Sequence, residues 1–165
     1  MTASEYQVVD AVARARQLIR ELSGIDRSWL LYSLAVWGNG LNLRVFAEVA
    51  GVGMTKLLKW VRRHVIDEYN CAEVRGDYLV PKPVGECKAH LYKILYHLLS
   101  GMEFKVQRDE KAPSLHLDAG KLLKSGVAVV IERSREGRVI VLSPLFRYKI
   151  DELAQLMKTL EGGGP

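Results

Sequence analysis

Residues 43–65 read LRVFAEVAGVGMTKLLKWVRRHV and decide how the chain folds. Their apolar spacing predicts one helix over residues 42–50, a turn at Gly51-Val52-Gly53 and a second helix over residues 54–66. At about 100° per residue, the second helix has one apolar side and one polar side. A solvated face usually mixes signs, because acid–base pairs stabilise a helix, whereas a face of one sign favours an anionic partner. The polar side here has four cations and no acid: it consists of Thr55, Lys56, Lys59, Arg62 and Arg63.

The segments on either side extend this pattern. Residues 4–23 have the spacing of an amphipathic helix, and residues 26–37 form a second helix that is apolar on nearly all sides. We therefore expect the helix at 26–37 in the centre of the core. Further on, residues 72–80 alternate apolar and polar around Arg75-Gly76-Asp77, which predicts a β-hairpin.

A small residue, a turn glycine and spaced apolar residues occur in the order of a helix-turn-helix motif, at Phe46-Ala47, Ala50-Gly51-Val52, Leu57 and Trp60. Ala47 lets two helices approach closely, and Gly51 can end the first helix in a left-handed conformation. With the hairpin that follows, residues 28–82 resemble the winged helix-turn-helix family of DNA-binding proteins. The resemblance implies that the polar side of the second helix contacts the major groove and that Arg75 contacts the DNA backbone.

The predicted function is therefore binding to duplex DNA as a transcriptional regulator. Glu73 and Asp77 flank Arg75, so the hairpin has little net positive charge. Because the second helix has no Asn or Gln to read adenine, the sequence favours contacts to phosphates and salt-sensitive binding. Two alternatives remain open. One is a single-stranded DNA or RNA binding protein that stacks bases on Tyr92 and Tyr96. The other is a protein-interaction module on the same fold.

The C-terminal half matches no family pattern. Its spacing predicts a helix over residues 86–100, a strand near Phe104 and Val106, a loop at 111–113 and a short helix over 118–124. The β-rich runs 127–133 and 138–142 predict a hairpin, and a last helix is expected over 148–160. We expect this helix to cover one side of the hairpin and a partner subunit the other, in a homodimer. The hairpin also offers a possible second nucleic-acid surface, at Arg133, Arg135 and Arg138.

Length and composition set the broad class. The chain has 165 residues, a formal net charge of +5 and an isoelectric point of about 9.2. We predict an α+β fold with an N-terminal helical winged helix-turn-helix domain (1–83), a smaller α/β half with a hairpin and a C-terminal helix (84–161) and a disordered tail (162–165). The start of the chain is polar, which indicates a cytoplasmic protein with no membrane span and with reduced thiols at Cys71 and Cys87. Scarce Asn and Gln suggest a thermophilic source.

Other chemistry is weakly supported. The pair Cys87-x-x-His90 has metal-ligand spacing, and His64 and Cys71 could complete a zinc set, but no paired CxxC is present. We expect no metal and no cofactor. A metal-dependent nuclease needs clustered carboxylates, but the spacing of the candidate acids does not predict a common site. These acids are Glu103, Asp109, Glu110, Asp118 and Glu132. The sequence therefore predicts a protein that is not an enzyme, with such a nuclease as the enzymatic alternative.

Overall fold

The computed structural model describes residues 3–108 and 113–162 and has a mixed α+β fold in this part of the chain. The helices are α1 (Ala3–Glu21), α2 (Arg27–Trp37), α3 (Leu43–Ala50), α4 (Met54–Val61), α5 (His90–Leu99), α6 (Pro113–Ser125) and α7 (Pro144–Glu161). The strands are β1 (Leu41–Asn42), β2 (Ala72–Arg75), β3 (Tyr78–Pro81), β4 (Phe104–Gln107), β5 (Ala128–Ser134) and β6 (Gly137–Leu142). A π-helical segment, Arg62–Asp67, continues α4, and a 3-10 turn, Val84–Glu86, precedes α5.

The first sheet joins the helices α2, α3 and α4 to a hairpin. Its strands are antiparallel in the order β1-β3-β2, with Leu41 opposite Leu79. The chain passes directly from β1 into α3, because the Asn42 side chain accepts a hydrogen bond from the Val45 amide at 3.1 Å. Gly51 ends α3 at φ 71°, as the turn prediction requires. The hairpin β2–β3 also lies where the alternation predicts it.

Helix α2 lies in the core, as its apolar surface predicts. Its side chains Leu31, Tyr32 and Ala35 are fully buried, and the helix packs against α5, α7 and β3. The buried apolar side chains form one continuous cluster that runs from α1 to α7. The predicted boundary at residue 83 remains a prediction.

The last helix does not cover the second hairpin, so that prediction is wrong. The sheet β4-β6-β5 packs against α5 and α6, whereas α7 packs against α1, α2 and α3. Polar contacts fix α7 there: Arg14 donates two hydrogen bonds to Glu152, at 2.7 and 2.8 Å, and the Trp37 indole donates to Asp151 at 3.0 Å. The apolar side chains of α7 therefore complete the core of the N-terminal helices.

Three predicted helices have different bounds. The helix expected over 86–100 begins only at His90, because the backbone is extended at Cys87 and Ala89. The last helix begins earlier, at Pro144, since the Ser143 side chain accepts from the Phe146 amide at 3.3 Å. The helix expected over 118–124 begins at Pro113, and the expected loop lies mostly outside the described residues. Residues 163–165 of the expected disordered tail also lie outside them.

The two cysteines form a disulfide, which corrects the expectation of reduced thiols. Cys71 lies between the π-helical segment and β2, and Cys87 follows the 3-10 turn. Their Cα atoms are 4.2 Å apart and both side chains are buried. In this form neither sulfur is a thiolate, so the zinc set considered from the sequence is not available. Among the described residues, none of the helices has the length and apolar character that a membrane span requires.

Candidate nucleic-acid interface

Helix α4 presents its polar side to solvent. The opposite side is anchored in the core through Leu57, Val61 and Val65, all of which are buried. Gly53 has extended backbone before the helix, and α4 packs against α3. All five residues of the polar side are exposed, and they are Thr55, Lys56, Lys59, Arg62 and Arg63. We call these five the basic face.

The basic face continues across a change of helix type. The Arg62 amide donates toward the carbonyls of both Leu58 and Lys59, and the π-helical segment begins there. A π-helical turn holds more residues than an α-helical turn, and such turns are frequent at functional sites. On the inner side of this segment the His64 ring lies 4.9 Å from the Trp60 ring. Arg62 and Arg63 remain on the outer side, in line with Lys59.

The cations of the basic face have no acidic partner among the side chains that the structure describes, those of residues 7–108 and 115–162. None of Lys56, Lys59, Arg62 and Arg63 forms an ion pair there, although six other ion pairs are present. Unpaired cations on a rigid helix repel one another, and an anion placed across them relieves that repulsion. The face is thus suited to a polyanion.

The hairpin β2–β3 is nearly neutral at its tip. Arg75 is paired with Glu73 on the same strand, and Asp77 accepts from Arg44 at 3.2 Å. Asp77 raises the pKa of the Arg44 guanidinium through that hydrogen bond. Arg75 must therefore exchange Glu73 for a phosphate before it can contact DNA, so it is the weakest of the predicted contacts. Arg44 was not predicted from the sequence, and it ties the start of α3 to the hairpin tip.

The structure separates the three arginines of the possible second surface. Arg133 and Arg138 lie directly opposite each other across β5 and β6, so their side chains share a face. This is the face of the sheet that also carries buried Val106 and Ile140. Arg135 instead lines a groove on the other face, with Glu132 and Glu136. The three therefore do not form one basic patch.

The base-stacking alternative loses one of its residues. Tyr92 is 3% exposed and packs against the Tyr32 ring at 4.9 Å, and its hydroxyl donates to the His64 carbonyl at 3.4 Å. Burial raises the pKa of the Tyr92 hydroxyl. Tyr96 is half-buried in the same helix. Because the Tyr92 side chain is almost fully buried, its ring has no free face for a nucleobase, so stacking on Tyr92 is excluded.

The acids considered for a nuclease do not meet in the described part of the chain. No group of three or more His, Cys, Asp or Glu side chains there is arranged to hold a metal ion. Asp118 lines a cleft of about 340 Å³ with Asp26, His64 and His90, whereas Glu132 lies in a different groove. Asp109 and Glu110 lie outside the described residues.

Comparison of the chain with protein-family models, with curated proteins and with solved structures gives no match.

Proposed function

We propose that the chain is a duplex-DNA-binding protein of winged helix-turn-helix architecture that acts as a transcriptional regulator. The observation that carries the proposal is the basic face, in which four exposed cations on one side of α4 and of the π-helical segment that continues it lack any acidic partner in the described chain. A helix with such a side, placed after a glycine turn, has the form that enters a major groove.

The order of the elements supports this proposal. The chain runs α2, β1, α3, α4, β2 and β3, and β3 lies between β1 and β2 in the sheet. A winged helix-turn-helix domain has this order, with α4 in the position of the recognition helix and β2–β3 in that of the wing. The near-neutral hairpin tip indicates that α4 contributes most of the binding and the wing contributes little.

The proposed binding is dominated by phosphate contacts. Lysine and arginine at all four charged positions can neutralise phosphates, and arginine can also read guanine edges. Four neutralised phosphates predict that the logarithm of the association constant falls with the logarithm of salt concentration with a slope of about −3.6. Between about 50 and 200 mM salt, the affinity should then fall about 150-fold.

The proposal places the protein in the cytoplasm, with the DNA. Buried disulfides are rare in that compartment, except in hyperthermophiles, whose intracellular proteins are rich in them. The bond between Cys71 and Cys87 therefore accords with the thermophilic source suggested by the composition.

The test is fluorescence anisotropy with labelled duplex DNA, single-stranded DNA and RNA across a salt series. The variant Lys59→Glu with Arg63→Glu should weaken duplex binding at least about 100-fold and reduce the salt slope by about 1.8. A matched control, Lys121→Glu with Lys124→Glu, makes the same charge change on exposed positions of α6 and should retain most of the affinity. Circular dichroism verifies that both variants fold. Unchanged affinity in the folded α4 variant would refute the proposal.

A further inference from the structure

The sheet β4-β6-β5 has one covered face and one open face. Residues that pair across antiparallel strands point to the same side of a sheet, so Lys105, Val139 and Glu132 share one face. The paired residues Val141 and Val129 lie on this same face, because Val141 is two residues from Val139 on β6. The alternate positions, which include Val106, Ile140 and Leu142, are buried on the other face, where α5 and α6 pack. Because α7 packs elsewhere, no helix of the described chain covers the first face. We call this face the open sheet face.

The open sheet face is more apolar than a solvated face needs to be. An antiparallel sheet with one face in water normally places polar residues there. Here Val139 and Val141 of the central strand are half-buried, and Val129 is 37% exposed. Ile131, the extra residue of a bulge in β5, is 53% exposed. These β-branched side chains give the open sheet face an apolar centre among its charged residues.

The charges on this face indicate which partner it fits. A groove of about 360 Å³ on the face holds two cations, Lys105 and Arg135, and two carboxylates, Glu132 and Glu136. The groove is thus neutral although the chain carries a net charge of +5. A neutral patch with both signs does not attract a polyanion, whereas it can be complementary to a copy of itself.

The strand register supplies that complementarity. Lys105 on β4, Val139 on β6 and Glu132 on β5 form one row across the three strands. A two-fold axis parallel to the central strand β6 exchanges the two edges of the sheet. It therefore sets Lys105 of each copy opposite Glu132 of the other and sets Val139 against Val139. Both ion pairs and the apolar centre arise from the same operation.

We propose that the open sheet face is a homodimer interface, in which two copies pack their β4-β6-β5 sheets face to face about this axis. A second groove, of about 430 Å³, is lined by Val141, Met102 and Pro144. The strands alone cover only about 250 Å² in projection, against about 800 Å² per partner in a typical stable interface. We therefore expect assembly at micromolar rather than nanomolar concentration. The proposal does not depend on DNA binding.

The test is sedimentation velocity without nucleic acid, over concentrations from about 1 to 200 µM. The wild-type mass should rise from 18.6 kDa toward twice that value. Lys105→Glu sets like charges against each other at two symmetric places and should raise the dimer dissociation constant about tenfold or more. The swapped variant, Lys105→Glu with Glu132→Lys, should restore it. Lys121→Glu makes the same charge change at an exposed position of α6, away from the open sheet face, so it is the control and should leave dimerisation unchanged.

Three results would overturn the proposal. The first is a wild-type protein that stays monomeric across the whole range. The second is a charge swap that fails to restore the dimer lost in Lys105→Glu. The third is a dimer that survives Val139→Asp but disappears in Val129→Pro, since that would show pairing through the edge of β5 in place of packing between faces.

Discussion

Reduction of the Cys71–Cys87 disulfide should lower the stability of the fold by a predictable amount. The bond closes a loop whose ends are 16 residues apart and which contains the whole hairpin β2–β3. In the chain-entropy description, a loop of about this length stabilises the folded state by about 3 kcal/mol, because it restricts the unfolded chain. With a urea m-value of about 2 kcal/mol per molar, the unfolding midpoint should fall by about 1.5 M.

The assay is urea unfolding followed by circular dichroism, with and without a thiol reductant. The double variant Cys71→Ala with Cys87→Ala is the control, since its midpoint should not respond to the reductant. A thiol titration establishes the redox state of each sample. Two free thiols in the folded, unreduced protein would refute the bond itself. A midpoint shift below about 0.3 M in fully reduced wild-type protein would refute the entropic reasoning.

Two further predictions concern local stability. Gly51→Ala should lower the unfolding temperature by about 2–4 °C. The φ angle of Gly51 is 71°, and an alanine held in this left-handed conformation costs about 1 kcal/mol. A steric clash does not contribute, because a Cβ atom at this position would have no neighbour within 4 Å. Gly53→Ala in the same turn is the calorimetric control, since its φ of −71° suits alanine, and an equal loss in both variants would contradict the conformational argument. Arg14 lowers the pKa of Glu152 by hydrogen bonding, so the carboxylate contributes stability above its unfolded pKa of about 4.5 and loses that contribution as pH falls through its folded pKa. Wild type should therefore exceed Glu152→Gln in urea midpoint at pH 7, and this difference should shrink as the pH is lowered through the folded pKa, whereas a difference independent of pH would contradict this assignment.

The elements predicted well from the sequence are those whose signals are local. Apolar spacing located α2, α3 and α4, since a helix buries residues three and four apart whatever lies beyond it. Gly51 and the turn at Gly76-Asp77 carried their own conformational preferences. The side of α4 that bears the cations was predictable for the same reason.

What the sequence did not reveal depends on contacts between distant segments. The strand β1 has two residues, too few for any periodicity, and it forms because Leu41 pairs with Leu79 on β3. The docking of α7 on the N-terminal helices depends on two side-chain contacts, Arg14 with Glu152 and Trp37 with Asp151. In each contact the two residues are more than 100 positions apart in the sequence. The disulfide was missed because the expected compartment argued for thiols, although 16 residues of separation permit the bond.

The contacts that hold α4 and the π-helical segment in place affect the affinity expected of the basic face. Leu57 and Val61 anchor α4 in the core, and the Tyr92 hydroxyl holds the π-helical segment through the His64 carbonyl. The disulfide then fixes the chain just beyond that segment to the entrance of α5. A binding helix held at both ends loses little conformational freedom when it meets its ligand, so more of its charge interaction becomes affinity. Because the disulfide is buried and adds no charge to the basic face, reduction should weaken the proposed DNA binding while leaving the salt slope of about −3.6 unchanged.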